Sequence, residues 1–282
     1  MKITTPSSLL LASALMLTLS YSCTKDREID YEDLPEATNV ESSDDNETSD
    51  EMYTHVYTVV HTEVSNVEDQ AFKTGISSGA TPDACANITY EVDSTNKLNK
   101  YLKKMTIDYG TTGCTWDGRV RKGKIIITKQ GKIATPGTIT TVTLEDFYID
   151  GYRVEGTATL ENKGFTSGKY SMKYDVVGGK VTAPDNTSST WATSRTFDFY
   201  LSNGSFKIIM SGTCSGINHK GVAYSVTTTK DLLAEFGCKY IKSGTLVIKS
   251  TGKPDITVDY GDGECDNKAT VIVNGTKYKK TL

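Results

Sequence analysis

A dense group of oxygen-bearing side chains lies near the end of the chain. The run VDYGDGECD holds four acids within eight residues, Asp259, Asp262, Glu264 and Asp266. Calcium is bound by six to eight oxygen ligands, so this run is a candidate cation site. An earlier run, IDYGTTGCT, repeats the turn with threonine and glycine in place of the three later acids. Because the turn does not depend on those acids, we expect turn chemistry here and no metal.

The three histidines form no pattern associated with catalysis. His55 and His61 lie in a segment, 53–64, that reads as a strand, which would separate them by about 20 Å and prevent them from sharing a metal ion. His219 stands alone in a glycine-flanked loop. We find no HExxH motif and no Ser–His–Asp order. We therefore expect exposed histidines, no cofactor and no enzymatic activity.

Two further groups could contact a ligand. A basic cluster on one strand comprises Arg119, Arg121, Lys122 and Lys124. We expect a solvated or edge-protecting strand, with contact to an acidic glycan or another anion as the alternative. Trp116 and Trp191 could stack on sugar rings, but for Trp116, two residues after Cys114, we expect packing against a disulfide.

The cysteines reveal an internal repeat. Cys85 precedes Cys114 by 29 residues, Cys238 precedes Cys265 by 27, and each pair closes on the same Asp-Tyr-Gly turn. Four cysteines allow three pairings, and the repeat favours one bridge within each copy, Cys85–Cys114 and Cys238–Cys265. Cys214 is left over, and we expect a buried free thiol.

The first 22 residues are typical of an export signal. Lys2 is followed by an apolar run of eleven residues, Leu9–Leu19, which is too short to span a bilayer as a helix. Small residues then lead into Cys23, the position that bacterial lipoprotein signals acylate. We expect lipidation at Cys23, which would tether the protein to a membrane; cleavage of an ordinary signal near Ser22 is the alternative.

The chain after the anchor is strongly acidic. Residues 24–51 hold 12 acidic and 2 basic side chains, and almost no apolar periodicity. This composition predicts a disordered acidic tether over residues 23–52. The remaining residues are mildly basic, which is too little charge to indicate nucleic-acid binding.

The composition and the turns favour strands over helices. Tyrosine (16) outnumbers phenylalanine (7) and tryptophan (2) together, and glycine (24) is frequent. Hairpin signals occur at Asp150-Gly151, Gly178-Gly179, Asn203-Gly204 and Asn274-Gly275. Only residues 230–236 read as a short helix. We predict an all-β globular region over residues 53–282, an antiparallel sandwich or barrel-like meander of hairpins. It would contain the disulfide-closed strand module twice, at about 85–128 and 238–282.

Three segments resemble a family of Bacteroidota cell-envelope lipoproteins. They are IDYGTTGCTWDGRVRKGKIIIT, EDFYIDGYRVEGTATLENKG and VDYGDGECDNKATVIVNG. The resemblance implies lipidation at Cys23, an envelope location and an all-β fold, and it transfers no catalytic residue. The acids close behind the anchor, Asp26 and Glu28, are similar to the export tag of surface lipoproteins in these bacteria, which implies the outer face of the outer membrane.

These observations lead to one functional expectation and two alternatives. We expect a lipid-anchored envelope protein, exposed at the cell surface, that binds a glycan or a protein. The first alternative is a structural envelope subunit without a soluble ligand. The second is a glycan hydrolase with paired carboxylates, whose separation a sequence cannot give.

Overall fold

The computed structural model describes residues 29–30, 40–74, 85–93, 101–116 and 118–282. Its elements in chain order are β1 (Ile29–Asp30), α1 (Val40–Thr74), β2 (Asn87–Asp93), β3 (Tyr101–Asp108), β4 (Cys114–Trp116), β5 (Arg119–Lys129), β6 (Ile139–Ile149), β7 (Tyr152–Thr166), β8 (Lys169–Thr182), β9 (Ser188–Ser202), β10 (Ser205–Ile217), β11 (Ala223–Glu235), β12 (Ser243–Ser250), β13 (Ile256–Asp262), β14 (Lys268–Val273) and β15 (Thr276–Thr281). The prediction of an antiparallel all-β fold is confirmed, with one helix added.

The strands form a single meandering sheet. Neighbours follow the order β1-β15-β14-β13-β12-β11-β10-β9-β8-β7-β6-β5-β3-β2, and β4 pairs with β5. All these pairs are antiparallel except β1 with β15. Three of the predicted turns have the expected left-handed backbone, with φ of 49° and 88° at Asp150-Gly151, 52° and 76° at Asn203-Gly204, and 50° and 82° at Asn274-Gly275.

The sheet curves around helix α1. Glu47 and Glu51 lie one turn apart on the helix, yet Glu47 pairs with Lys280 of β15 and Glu51 with Arg119 of β5, near opposite ends of the strand order. The inward face of the helix joins one hydrophobic core with residues from β2 to β15. Its members from the helix are Met52, Tyr53, Val56, Val60, Val64 and Val67.

The helix corrects two predictions. The predicted strand over residues 53–64 is wrong, and the predicted tether is wrong for residues 40–52, because both stretches belong to α1. Val56, Val60 and Val64 are four residues apart, a spacing that fits a strand face and a helix face equally well. As a result His55 and His61 are about 9 Å apart along the axis of a helix, and the predicted separation of about 20 Å, which assumed a straight strand, does not apply. Residues 1–22 and Cys23 lie outside the described residues.

Two smaller predictions also fail. Residues 230–235 are the end of β11 and not a helix, since Leu232 and Leu233 pair across to β10. Gly178-Gly179 lies inside β8 and not in a hairpin turn. There the register of β8 against β9 shifts between Val176 and Gly179. A Cβ on Gly179 would lie 2.3 Å from the Trp191 carbonyl oxygen and 2.7 Å from the Tyr53 hydroxyl, so this bulge requires glycine.

The two predicted disulfides are formed. Cys85 bonds to Cys114 and Cys238 to Cys265, with Cα atoms 5.6 and 5.8 Å apart. Cys214 is the free, buried cysteine of the described chain. The two copies share a local topology as well, because β3 lies between β2 and β5 just as β13 lies between β12 and β14.

Replacing both Cys238 and Cys265 with serine should lower the free energy of unfolding by about 3 kcal/mol, because the bridge closes a loop of 27 residues that an open chain would not restrict. Urea unfolding followed by circular dichroism measures the change. The matched control is Cys214→Ser, a nearly isosteric change outside any bridge whose hydroxyl can still accept from Arg195, so it should cost less stability than the double variant. Equal stabilities for the double variant and the unmodified protein would contradict the prediction.

Candidate binding groove

The candidate site is an apolar groove beside the hairpin tips of β7–β8 and β9–β10. Cross-strand partners project from the same face of a sheet. Phe165 pairs with Tyr170, and Tyr170 pairs with Phe199 across the next ladder. Leu201 pairs with Phe206 in the hairpin that Asn203-Gly204 closes. These five side chains therefore lie together on one face of the sheet.

Helix α1 forms the other wall of the groove. Tyr57 stacks on Phe197, with ring centroids 5.9 Å apart and planes at 11°. Its hydroxyl donates to the Met172 sulfur at 3.7 Å. His61, one turn further along the helix, has its ring centroid 5.9 Å from that of Tyr57. The space between the walls measures about 560 Å³, within the usual range of ligand pockets. Its lining consists of Tyr57, His61, Phe165, Gly168, Tyr170, Met172, Phe199, Tyr200, Leu201 and Phe206.

Much of the groove's apolar surface faces solvent. Phe165 and Leu201 are each 72% exposed, and Phe206 is 45% exposed. By contrast, Met172 at the base of the groove is 2% exposed. The side chains at the tips thus extend the hydrophobic core outward. A contiguous exposed apolar surface of this kind marks a place where another molecule binds.

Charge is absent from the groove walls. None of the residues that line the groove in the described part of the chain is Asp, Glu, Lys or Arg. Burial raises the pKa of the Tyr57 phenol to about 12 and lowers the pKa of the His61 imidazole. Both groups are therefore neutral near pH 7. The groove can accept apolar and aromatic groups, and it offers few partners for the many hydroxyls of a sugar.

The basic cluster does not have the predicted role. Arg121 is fully buried, and its Nε donates to His55 Nε2 on the helix at 3.0 Å. Arg119 forms ion pairs with Glu51 of the helix and with Asp150. The expectation of an edge-protecting strand is wrong, because β5 pairs on both sides, and the expectation of a solvated side chain is wrong for Arg121; both arginines hold α1 against β5.

The two tryptophans that could stack on a sugar ring have different environments in the structure. Trp191 is 1% exposed and donates from Nε1 to Asn46 Oδ1 at 3.0 Å, so it holds the helix and cannot stack on a ligand. Trp116 is 48% exposed, and its carbonyl oxygen accepts from Arg121 Nη1 at 3.0 Å.

The first half of the acidic run, residues 259–262, belongs to β13, and it repeats a local hydrogen bond of the first copy. Asp259 Oδ1 accepts from Gly261 N at 3.0 Å, and Asp108 Oδ1 accepts from Gly110 N at 2.9 Å in the first copy. The shared Asp-Tyr-Gly sequence is thus an Asx turn, used twice. Across the described residues, no three His, Cys, Asp or Glu side chains are grouped so as to hold a metal ion.

Cys214 lies in a buried polar contact between the sheet and the helix. Arg195 Nη2 donates to its sulfur at 2.9 Å, and Arg195 also pairs with Asp50 of α1. Burial raises the pKa of the Cys214 thiol, while the guanidinium acts in the opposite direction. The protonated thiol fits a packing role for this residue.

The groove residues themselves were not predicted. The turn at Asn203-Gly204 was predicted. The register of this hairpin places Leu201 beside Phe206 and Phe199 beside Ile208. The sequence was therefore sufficient to predict that these side chains share one face of the hairpin. What the sequence did not show is that α1 covers part of this face and leaves the tips open.

The fold and groove define an all-β protein in which a curved antiparallel sheet surrounds one helix and carries an exposed aromatic groove at its hairpin tips. No family model, no curated protein and no solved structure matches the chain. Over the described residues, no helix combines the length and apolar composition that crossing a membrane requires.

Proposed function

We propose that this protein is a lipid-anchored envelope protein of the Bacteroidota type that binds an apolar segment of a partner protein in the aromatic groove. The groove carries the proposal, because it exposes large apolar side chains in a concave, uncharged site. A glycan ligand is disfavoured, since no carboxylate or amide lines the described groove and each buried, unpaired sugar hydroxyl would cost binding energy.

The disulfides support a location outside the cytoplasm, where such bonds persist. The sequence features around Cys23 support the lipid anchor. Its proposed consequence is a tethered protein, since two or more acyl chains hold a protein at a membrane without spanning it.

The placement of β1 bears on how an anchored protein would present the groove. Ile29 follows Cys23 by six residues, so a straight chain between them covers at most about 20 Å. β1 runs parallel to β15, which starts at the Asn274-Gly275 turn. In the meander, that turn and the tips that form the groove lie at opposite ends of the strands. An anchor at Cys23 would thus hold the groove on the side away from the lipid.

A double variant, Phe165→Ser with Leu201→Ser, tests the groove. It removes two exposed apolar side chains, each of which contributes about 1.5 kcal/mol or more when a ligand buries it. We expect peptides selected on the unmodified protein from a random 12-residue library to be rich in Leu, Met and aromatic residues. Their affinity, measured by fluorescence anisotropy, should fall at least tenfold in the double variant.

Val177→Ser is the matched control, because Val177 is an exposed apolar residue, 63% exposed, that does not line the groove. A photo-crosslinking residue at position 201, compared with one at position 177, extends the test to intact cells. Unchanged peptide affinity in the double variant, or binding of polysaccharides in preference to peptides, would refute the proposal.

A further inference from the structure

The apolar surface of the groove continues onto the end of β11. Lys207 of β10 pairs with Glu235 of β11, and the N–H of the next residue, Phe236, donates to the Phe206 carbonyl oxygen at 2.8 Å. Phe236 therefore lies opposite Phe206 and projects from the same face of the sheet. Its side chain is 85% exposed. From Phe165 on β7 to Phe236, the apolar surface thus crosses five neighbouring strands.

The dimensions of this surface match a helix better than an extended segment. Neighbouring strands lie about 4.8 Å apart, so the four steps from β7 to β11 cover about 19 Å. A helix of about 13 residues has that length, and its turns repeat every 5.4 Å or so, close to the strand spacing. On an extended segment, residues on the same side recur about every 6.7 Å, so they fall out of step with the strands.

The strands beneath this surface offer no edge to a bound segment. Each strand from β7 to β11 pairs with a neighbour on both sides, so the backbone N–H and C=O groups are engaged in the sheet. An extended peptide gains affinity by adding to a sheet edge, and across this face its own backbone groups would lack partners. The described lining supplies only three tyrosine hydroxyls and the His61 imidazole. A helix pairs its backbone groups internally and needs none of them.

Helix α1 already packs on this face of the sheet. Tyr57 of the helix stacks on Phe197 of β9 and contacts Tyr174 of β8 edge-on, with ring centroids 5.8 Å apart. Phe197 in turn has its ring centroid 6.4 Å from that of Phe199, which lines the groove. The groove is therefore continuous with the interface between α1 and the sheet, and a second helix would extend the same kind of packing.

We propose that the partner segment bound in the groove is an amphipathic helix of about 13 residues, which lies across strands β7 to β11 next to α1. Its apolar residues recur at positions i, i+4, i+7 and i+11 and face the sheet, while its polar side faces solvent. This inference rests on the proposed function, because it specifies the conformation of the segment that the groove binds.

Two libraries of 13-residue peptides with the same composition test the conformation. In one, Leu, Met and Phe recur at helical spacing, and in the other they alternate with polar residues. The best helix-patterned peptides should bind the intact protein at least tenfold more tightly than the best alternating ones, as measured by fluorescence anisotropy. Proline at the centre of a selected peptide should lower its affinity at least tenfold, because proline breaks a helix. Carbon-13 NMR shifts of the bound peptide report its backbone conformation.

Phe236→Ser tests where the helix lies on the sheet. Because Phe236 is largely exposed in the free protein, this change should preserve the fold and weaken binding of the selected helical peptide about tenfold. Val177→Ser is again the matched control and should leave that affinity unchanged, since Val177 is exposed outside the groove. Equal affinities for the two variants would overturn the proposal.

Two results distinguish a failure of this inference from a failure of the function on which it rests. Suppose that bound peptides lose affinity in the Phe165→Ser, Leu201→Ser double variant, yet tolerate the central proline and show extended backbone shifts. The helix would then be refuted, while the proposed binding of an apolar segment would stand. Peptides whose affinity the double variant does not change would refute both.

Discussion

Lys129→Met should lower the free energy of unfolding by about 3–5 kcal/mol, because it removes one partner of a buried ion pair and leaves the other charge without compensation. The Lys129 side chain is fully buried, and the Glu68 side chain that it contacts is 9% exposed. Glu68 Oε2 also accepts from the backbone N–H of Ile133. The pair joins α1 to β5, so its loss weakens the packing of the helix against the sheet.

The double variant Lys129→Met with Glu68→Leu should recover most of that loss, since replacing both charges with apolar groups of similar volume is often neutral or stabilising. The surface pair between Lys173 and Asp175 provides the control. Its lysine is 42% exposed, and Lys173→Met should change stability by less than about 1 kcal/mol. Chemical unfolding of the four proteins measures all of these values, and a double variant as unstable as the single one would contradict the argument.

Trp191→Ala should cost about 3–5 kcal/mol, the usual effect of removing a large buried aromatic side chain. The indole stacks on Tyr53 of the helix with centroids 5.0 Å apart and planes at 14°. The guanidinium of Arg195 also lies over the indole ring, 5.5 Å from its centroid. Together with the hydrogen bond to Asn46, these contacts fix α1 against β9, so the variant should loosen the helix first.

Trp116→Ala is the matched control and should cost at most about 1 kcal/mol, because this side chain is half exposed. It also leaves Trp191 as the sole tryptophan, whose fluorescence then reports the docking of α1. Trp191→Phe should be intermediate, since it keeps a ring for Tyr53 but leaves the Asn46 oxygen without its donor. A loss for Trp191→Ala no larger than that for Trp116→Ala would show that the helix does not depend on this contact.

The hairpins could be predicted because their signals are local. Asn203-Gly204 and Asn274-Gly275 need positive φ at both residues, and only a few residue types tolerate it. The disulfide pairing also followed from a local repeat. These signals fixed the fold class without any knowledge of what the strands surround.

The first turns of the helix could not be predicted from the sequence, for a physical reason. The buried positions in its first turns hold Ser42, Ser43, Asn46 and Ser49, which produce no apolar periodicity. The stretch is helical because its partners are distant in sequence: Asn218 donates to Ser42, and Trp191 donates to Asn46. Tertiary contact here overrides local preference.

The opposite charges of the two regions indicate that they attract each other, an inference that the composition alone did not suggest. The acidic run and the mildly basic remainder were interpreted as a tether and a separate globular region. In the structure part of that run is attracted to the sheet, through Glu47 with Lys280, Asp50 with Arg195 and Glu51 with Arg119. The groove was missed for the same reason, because its open face depends on where this helix lies.

The ion pair between Glu47 and Lys280 spans 233 residues, nearly the whole chain. The helix is synthesised first, while its anchoring partners on β5, β9 and β15 follow much later. Contacts of such long range make folding slow, because the chain must close a large loop before it gains them. A nascent or truncated chain that lacks β15 would thus leave Glu47 without its ion pair, and the packing around the helix would be completed only when the last strand joins.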